Sequence, residues 1–319
     1  MDRPLRDNPT KRWRKAVGMV LGLVLLGLAV GYAVRGADFT AIAQTPPWVL
    51  AALLGLVAIN LLVTAGLFWS VTRSFTVTRP VGYLTMAALV AVSGVLNYIP
   101  LIRAGLWGRA AYLKKFHGLA VRDSLITLGV ILGLSVAVLG TVSLMLLAFA
   151  PSRLSVWACG GALAVQTVLL PWTWGRAKGR LGFMSQAVGV GGAAVWWVPL
   201  RALDLAAAAG RLWLVFGVLG FELLWTEAVL LASANLVVKL VGLTPNGLGL
   251  SEWVVAALSA AMMPIETATA AAAALIDRTA EVLVLLLSGG LGAVWLKREA
   301  GNAALSKTQT DSPTDGLPR

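Results

Sequence analysis

The sequence predicts an all-α polytopic membrane protein, a helical bundle of about 6–8 transmembrane helices with two broken or re-entrant elements and an inverted repeat relating its halves. Three observations predict it. Hydrophobic residues make up 58% of the 319 residues and charged residues only 13%, against roughly 45–50% and 25% in an average soluble domain. The mean hydropathy is +0.83. The charges are also segregated: charge-free or nearly charge-free stretches cover 16–34, 48–69, 81–102, 124–149, 154–172, 212–238 and 268–296, near or above the ~20 residues that cross a bilayer as a helix. Inside them the only charged residues are Glu222, Glu227, Asp277, Arg278 and Glu281.

Taken in order, the first stretch follows Arg3, Arg6, Lys11, Arg12, Arg14 and Lys15. A cleavable signal has an apolar region of ~7–15 residues. The run from Ala16 to Val34 is longer, so it reads as a retained signal-anchor helix, with Trp13 at headgroup level. Cationic loops stay on the cytoplasmic side, and here the cations conflict with simple alternation. Seven strict crossings put the loops 103–122 and 173–211, each with five cations, on the outside. The conflict disappears if 81–102 enters and leaves on one side and the chain around 239–266 does so from the opposite face. Six crossings then remain in the cytoplasmic (inner) membrane, both termini are cytoplasmic, and only Arg35, Arg153 and Lys239 lie outside.

Length supports the second re-entrant piece, because the eleven residues from Glu252 to Met262 extend about 16 Å as a helix, against a hydrocarbon core of ~30 Å. For the first piece, Gly94, Asn97 and Pro100 supply the break. The segment 181–200, ending Trp196-Trp197-Val198-Pro199 and flanked by Arg176, Lys178 and Arg180, reads as an interfacial helix, with a full crossing as the rival. The organisation is thus a basic cytoplasmic N-terminus over 1–15, a transmembrane domain over 16–296 and a flexible cytoplasmic tail over 297–319.

Three groups of residues could carry chemistry. Arg103, Arg109, Lys114, Lys115 and Arg122, interleaved with Trp107, Tyr112 and Phe116, describe either a helix on the cytoplasmic headgroups or an ordinary cation-rich cytoplasmic loop, the latter being the favoured reading for Lys114, Lys115 and Arg122. Arg103 and Arg109 are nearest the break, and a guanidinium grips phosphate in a fork that lysine lacks. In Pro245-Asn-Gly-Leu-Gly-Leu-Ser-Glu252, Gly247 and Gly249 permit a bare turn and Ser251 can cap the helix that follows. That stretch is either a structural turn or a binding loop. Asp277 and Glu281 share a face at i,i+4 and Arg278 reaches Glu281 at i,i+3. At that depth they serve either as a headgroup or proton-coupled site or as a structural ion pair. Glu222 and Glu227 face different ways.

Several classes find no material. One Cys and one His, Cys159 and His117, exclude a disulfide framework and a Cys- or His-based metal site. No HExxH, Walker or dinucleotide fingerprint occurs, and Gly249-Leu-Ser251-Glu-Trp253 lacks the last glycine of a nucleophile elbow. The reading therefore names no catalytic residue, metal, cofactor or nucleic-acid partner.

At two blocks the chain resembles the flippase-like family typified by the transmembrane region of lysylphosphatidylglycerol synthases. The early block is Asn97…Pro100-Leu-Ile-Arg103-Ala-Gly105…Arg109; the late one is Pro245-Asn246-Gly247-Leu-Gly249-Leu-Ser-Glu252 followed by Asp277-Arg278. Leu106 stands where the family often has Glu. The resemblance implies a flippase or transporter acting on a phospholipid or polyprenyl-linked headgroup, with an anionic membrane lipid as partner. Arg103 and Arg109 would gather the phosphate, the Pro245–Glu252 loop would line the path, and Asp277, Arg278 and Glu281 would hold the polar group at depth. The alternative is a non-transporting scaffold for envelope glycolipid enzymes.

Overall fold

The computed structural model describes residues 9–36, 44–75, 77–98, 104–149, 193–241 and 243–310. Among these residues there are nine α-helices: α1 (Pro9–Gly36), α2 (Pro47–Thr72), α3 (Tyr83–Leu96), α4 (Ala104–Tyr112), α5 (Val121–Phe149), α6 (Trp197–Val218), α7 (Trp225–Val241), α8 (Leu250–Met262) and α9 (Thr267–Thr310). Four helices contain stretches long and apolar enough to cross a membrane: Met19–Gly36, Pro47–Thr72, Val121–Leu146 and Thr267–Asn302. Backbone groups in hydrocarbon must be satisfied within the segment, which is why these stretches are helical from end to end.

The two elements expected to be broken are short. Helix α3 has 14 residues and α8 has 13, which at 1.5 Å per residue gives about 20 Å, well below the ~30 Å apolar core. Both pack on α9, which also contacts α1, α2 and α6. Small residues allow that convergence: Ala270, Ala271, Ala272 and Ala273 are all buried at the start of α9. Farther along, a Cβ on Gly292 would sit 3.0 Å from the Ala88 carbonyl oxygen of α3.

Helix α4 turns back under α3. A Cβ at Gly105 would collide with the Ser93 carbonyl oxygen and lie 2.5 Å from Asn97 Oδ1, so only hydrogen fits there. A π-helical turn, Leu113–His117, continues α4 and ends at Gly118. The hairpin is tied to the far part of α9 by Glu299, which accepts hydrogen bonds from Thr85 Oγ1 at 2.9 Å and Tyr112 Oη at 3.3 Å. Burial and the neighbouring Glu299 both push the Tyr112 hydroxyl above its ordinary pKa, so it stays protonated as the donor.

Several expectations change. The stretch 212–238 is not one helix: α6 stops at Val218, the chain turns through Gly220 with φ +81°, and α7 starts at Trp225. Of the segment 181–200, residues 193–196 form a 3-10 turn and 197–200 are already the start of α6, where Trp197 is fully buried. Its residues 181–192, and the stretch 154–172, lie outside the described residues. Arg201 and Arg211, counted above as loop cations, are buried in α6. The topology argued from charge loses those two cations. At the other end α9 runs on as helix to Thr310, into the segment expected to be flexible.

The close α3–α4 contact gives a direct test. Gly105→Val is expected to destabilise the protein by about 1–3 kcal/mol through overpacking, whereas Gly140→Ala, with nothing within 4 Å of its added carbon, is expected to leave thermal unfolding in detergent unchanged.

Candidate functional site

The site is built on the first half of α9. The alanine-rich turns of α9 place its backbone inside the bundle, so Asp277 and Arg278 are 3% and 6% exposed. An ionised group there is tolerated only when it is paired and hydrogen-bonded. Arg211 of α6 supplies a fork to Asp277, donating from Nε to Oδ1 at 2.9 Å and from Nη2 to Oδ2 at 3.2 Å. Glu281 accepts from Lys239 Nζ of α7 at 2.7 Å and from Arg278 Nη1 at 3.3 Å, with Arg211 Nη2 at 4.0 Å.

Arg278 also reaches the second broken element. Its Nε lies 3.3 Å from Glu252 Oε1 in the first turn of α8, and its Nη2 donates to the Asn246 carbonyl oxygen at 2.7 Å. That carbonyl is free because the chain is unwound here: Asn246, Gly247 and Gly249 have φ of +50°, +74° and +76°. Gly249 is required twice over. Its backbone is left-handed, and a Cβ would sit 2.5 Å from the Gly22 carbonyl oxygen of α1. Ser251 does not cap α8; its hydroxyl donates to Glu252 Oε2 at 3.0 Å. The first broken element arrives at the same point, since Arg278 lies 5.2 Å from the centre of the Tyr98 ring just beyond α3.

Arg211, Lys239 and Arg278 therefore face Glu252, Asp277 and Glu281, three cations against three anions. The cavity among them, lined also by Asn235 and Ser251, is about 10 Å³, room for the centre of roughly one water. The Asn235 side-chain oxygen is buried with no hydrogen-bond partner. A polar track continues away from the cavity. Arg211 Nη1 donates to Asn60 Oδ1 at 3.4 Å, and Asn60 Nδ2 donates to Asp204 Oδ1 at 2.6 Å. Asp204 also accepts from Thr64 Oγ1 at 2.9 Å and pairs with Arg201. Among the described residues no cluster of His, Cys, Asp or Glu is placed to hold a metal ion.

Of the residues singled out from sequence, Pro245, Asn246, Gly247, Gly249, Glu252, Asp277, Arg278 and Glu281 come together at this cluster. Asn97 caps α3 beside Tyr98 but is itself exposed. Gly105 serves the α3–α4 approach. Arg109 is not an open phosphate clamp: it is 7% exposed, with its guanidinium 3.8 Å from the centre of the Phe68 ring. Burial lowers its pKa to about 10, which leaves it charged at neutral pH. Pro100 and Arg103 lie outside the described residues. Glu222 is exposed in the α6–α7 break. Glu227 accepts a hydrogen bond from the Leu224 N–H at 2.9 Å, the work of a helix-capping residue.

Arg211, Lys239, Asn60, Thr64, Arg201 and Asp204 were not anticipated. The only available signal was that Lys239 closes an otherwise cation-free apolar run. Every member of the network falls within one matched region: the sequence profile of the lysylphosphatidylglycerol synthase TM region covers residues 19–289. The chain belongs to that family. No curated protein and no solved structure was found to match the chain. For this member of the lysylphosphatidylglycerol synthase transmembrane-region family, the matched segment takes in both broken elements and the charged part of α9.

Removing one partner of a buried pair strands the other charge. Arg211→Met is expected to destabilise the protein by about 3–5 kcal/mol, and the double change Arg211→Met with Asp277→Leu to recover most of that loss, measured by denaturant titration in micelles.

Proposed function

We propose that the protein is a flippase of the cytoplasmic membrane that moves a phosphate-bearing lipid headgroup, on a phospholipid or a polyprenyl carrier, between leaflets, with both termini cytoplasmic. The observation that supports this reading best is the convergence of two short helices and an unwound turn on six paired charges, four of them buried and Lys239 and Glu281 half-buried, inside a mostly apolar bundle. Polar backbone and ionised groups at such depth belong to pathways more often than to plain packing. Arg278 is the group best placed to meet a phosphate, because it already bridges Glu252, Glu281 and the Asn246 carbonyl.

A surface groove next to the hairpin suits lipid delivery. Trp107, Ala110, Ala111, Lys114, Lys115 and Val121 line a mostly apolar depression of about 370 Å³. Two lysines at its edge favour an anionic headgroup by about 1 kcal/mol each near a membrane surface.

One observation favours a second reading. The cluster is charge-balanced and closed to about 10 Å³, which also suits a scaffold whose ion pairs fix helix packing for envelope glycolipid enzymes. The two readings part in proteoliposomes carrying fluorescently labelled phosphatidylglycerol. The flippase reading expects leaflet exchange that falls at least about tenfold in Arg278→Ala, the equivalent of roughly 1.4 kcal/mol. Equal rates for the two proteins, or no exchange above empty vesicles, would leave the scaffold.

A further inference from the structure

Resting on the reading of the cluster as an anion path, we infer that the site binds its anionic headgroup together with one proton, and that Glu252 carries that proton. The argument begins with the charge count. Arg211, Lys239 and Arg278 are already matched by Glu252, Asp277 and Glu281 in a volume that water barely enters. A phosphodiester entering as a monoanion would leave one uncompensated negative charge in a low-dielectric interior, which costs several kcal/mol. Taking up one proton keeps the loaded cluster as neutral as the empty one.

The geometry selects the carboxylate. Asp277 has both oxygens held in the Arg211 fork. Glu281 is met by Lys239, Arg278 and Arg211. Glu252 is held least: Ser251 donates to Oε2, while Oε1 is buried without a hydrogen bond, facing Arg278 Nε at 3.3 Å. Neutralising Glu252 therefore breaks the fewest bonds and removes the counter-charge from the Nε side of Arg278, whose Nη1 and Nη2 stay on Glu281 and the Asn246 carbonyl. The arginines themselves keep their protons.

The other groups around Glu252 agree with this assignment. From α9 it faces Asp277, Arg278 and Glu281, and from α7 and α6 the cations Lys239 and Arg211 stand behind Glu281. Beyond α3 comes the Tyr98 hydroxyl, buried and unpartnered. From α1 comes Tyr32, stacked 5.9 Å from the Trp253 ring. Asn235 also lines the cavity, and its buried side-chain oxygen, which has no hydrogen-bond partner, is an acceptor that a carboxylic acid O–H can meet. No covalent step is involved. A proton from water joins the Glu252 carboxylate as phosphate takes its place on Arg278, and both depart together.

Linkage fixes the sign: if anion binding brings proton uptake, acidification tightens anion binding. The test uses the full chain in detergent and dihexanoylphosphatidylglycerol as probe, titrated calorimetrically in two buffers of different ionisation heat. The expected result is close to one proton taken up per lipid bound, with an apparent Kd that falls by up to about tenfold per pH unit of acidification. Glu252→Gln is expected to abolish the uptake and flatten that slope.

Wild-type binding without proton uptake overturns the inference and leaves the flippase reading standing. Uptake that persists in Glu252→Gln also overturns it, by assigning the proton to another group. If that variant fails to fold, the wild-type heats and pH slope decide alone. Absence of any wild-type binding removes both the inference and the anion path. Coupled binding in a protein that moves no lipid keeps the inference and removes transport.

Discussion

Arg211 donates two parallel bonds to Asp277 at a place from which water is almost excluded, and the arrangement of the bundle follows from that constraint. Neither ion could stay there alone, so α6 must meet α9 in one register. A shift of α6 by one turn would move Arg211 about 5 Å along the axis and expose both charges to hydrocarbon. The remaining pairs extend the restriction outward. Lys239 fixes α7 against Glu281, Arg278 fixes the turn before α8, and Asn60 connects α2 through Asp204. Five helices are thus positioned by polar bonds in a protein whose apolar surfaces, against lipid, supply little preference of their own.

The unwound turn is a consequence of the same chemistry. Helical carbonyls are occupied by their own N–H groups, so a guanidinium with spare donors has no backbone partner along an unbroken helix. At Asn246 the left-handed backbone frees one carbonyl, and Arg278 takes it. The other side of that turn is sealed by α1, where Gly249 lies against the Gly22 carbonyl and the Trp253 indole donates to the Leu25 carbonyl at 2.9 Å. Substituents on either glycine would separate α1 from the turn. The glycines in this stretch therefore serve close approach as well as backbone conformation.

The sequence made the apolar helices legible because hydrocarbon imposes one rule, a long run without charge, and that rule acts locally. It also made the element ending in α8 legible as short, through its length; 81–102 is long enough to cross, and its break rests on Gly94, Asn97, Pro100 and the distribution of cations, of which the structure buries Arg201 and Arg211. The i,i+3 contact of Arg278 with Glu281 follows from helical spacing alone. What escaped were the partners that come from other helices. Nothing local distinguishes Arg211 in α6 from a cation in a loop, and counting cations toward topology assumes that each one stands in water. Arg201, Arg211 and Lys239 violate that assumption because Asp204, Asp277 and Glu281 receive them. Arg109 failed differently: an aromatic ring, Phe68, offers its face to a cation without announcing itself as a partner.

A closed, neutral cluster and a path for a charged lipid are compatible only if the closed state can be exchanged for an open one of similar energy. The distribution of contacts indicates where that exchange is cheapest. Asp277 and Arg211 hold α9 to α6 by a buried fork, and α3 lies against α9 through glycine and alanine contacts with little slack. Helix α1 is different. Most of its apolar side chains face outward, including Leu21, Leu23, Val24 and Leu28, and its described polar tie to the turn is the single Trp253 bond. Displacing α1 exchanges apolar contacts for lipid contacts of the same kind, which carries little penalty, whereas displacing α6 would separate charges. The side of the cluster toward α1 is consequently the one that can open at least cost while the Arg211–Asp277 fork stays made.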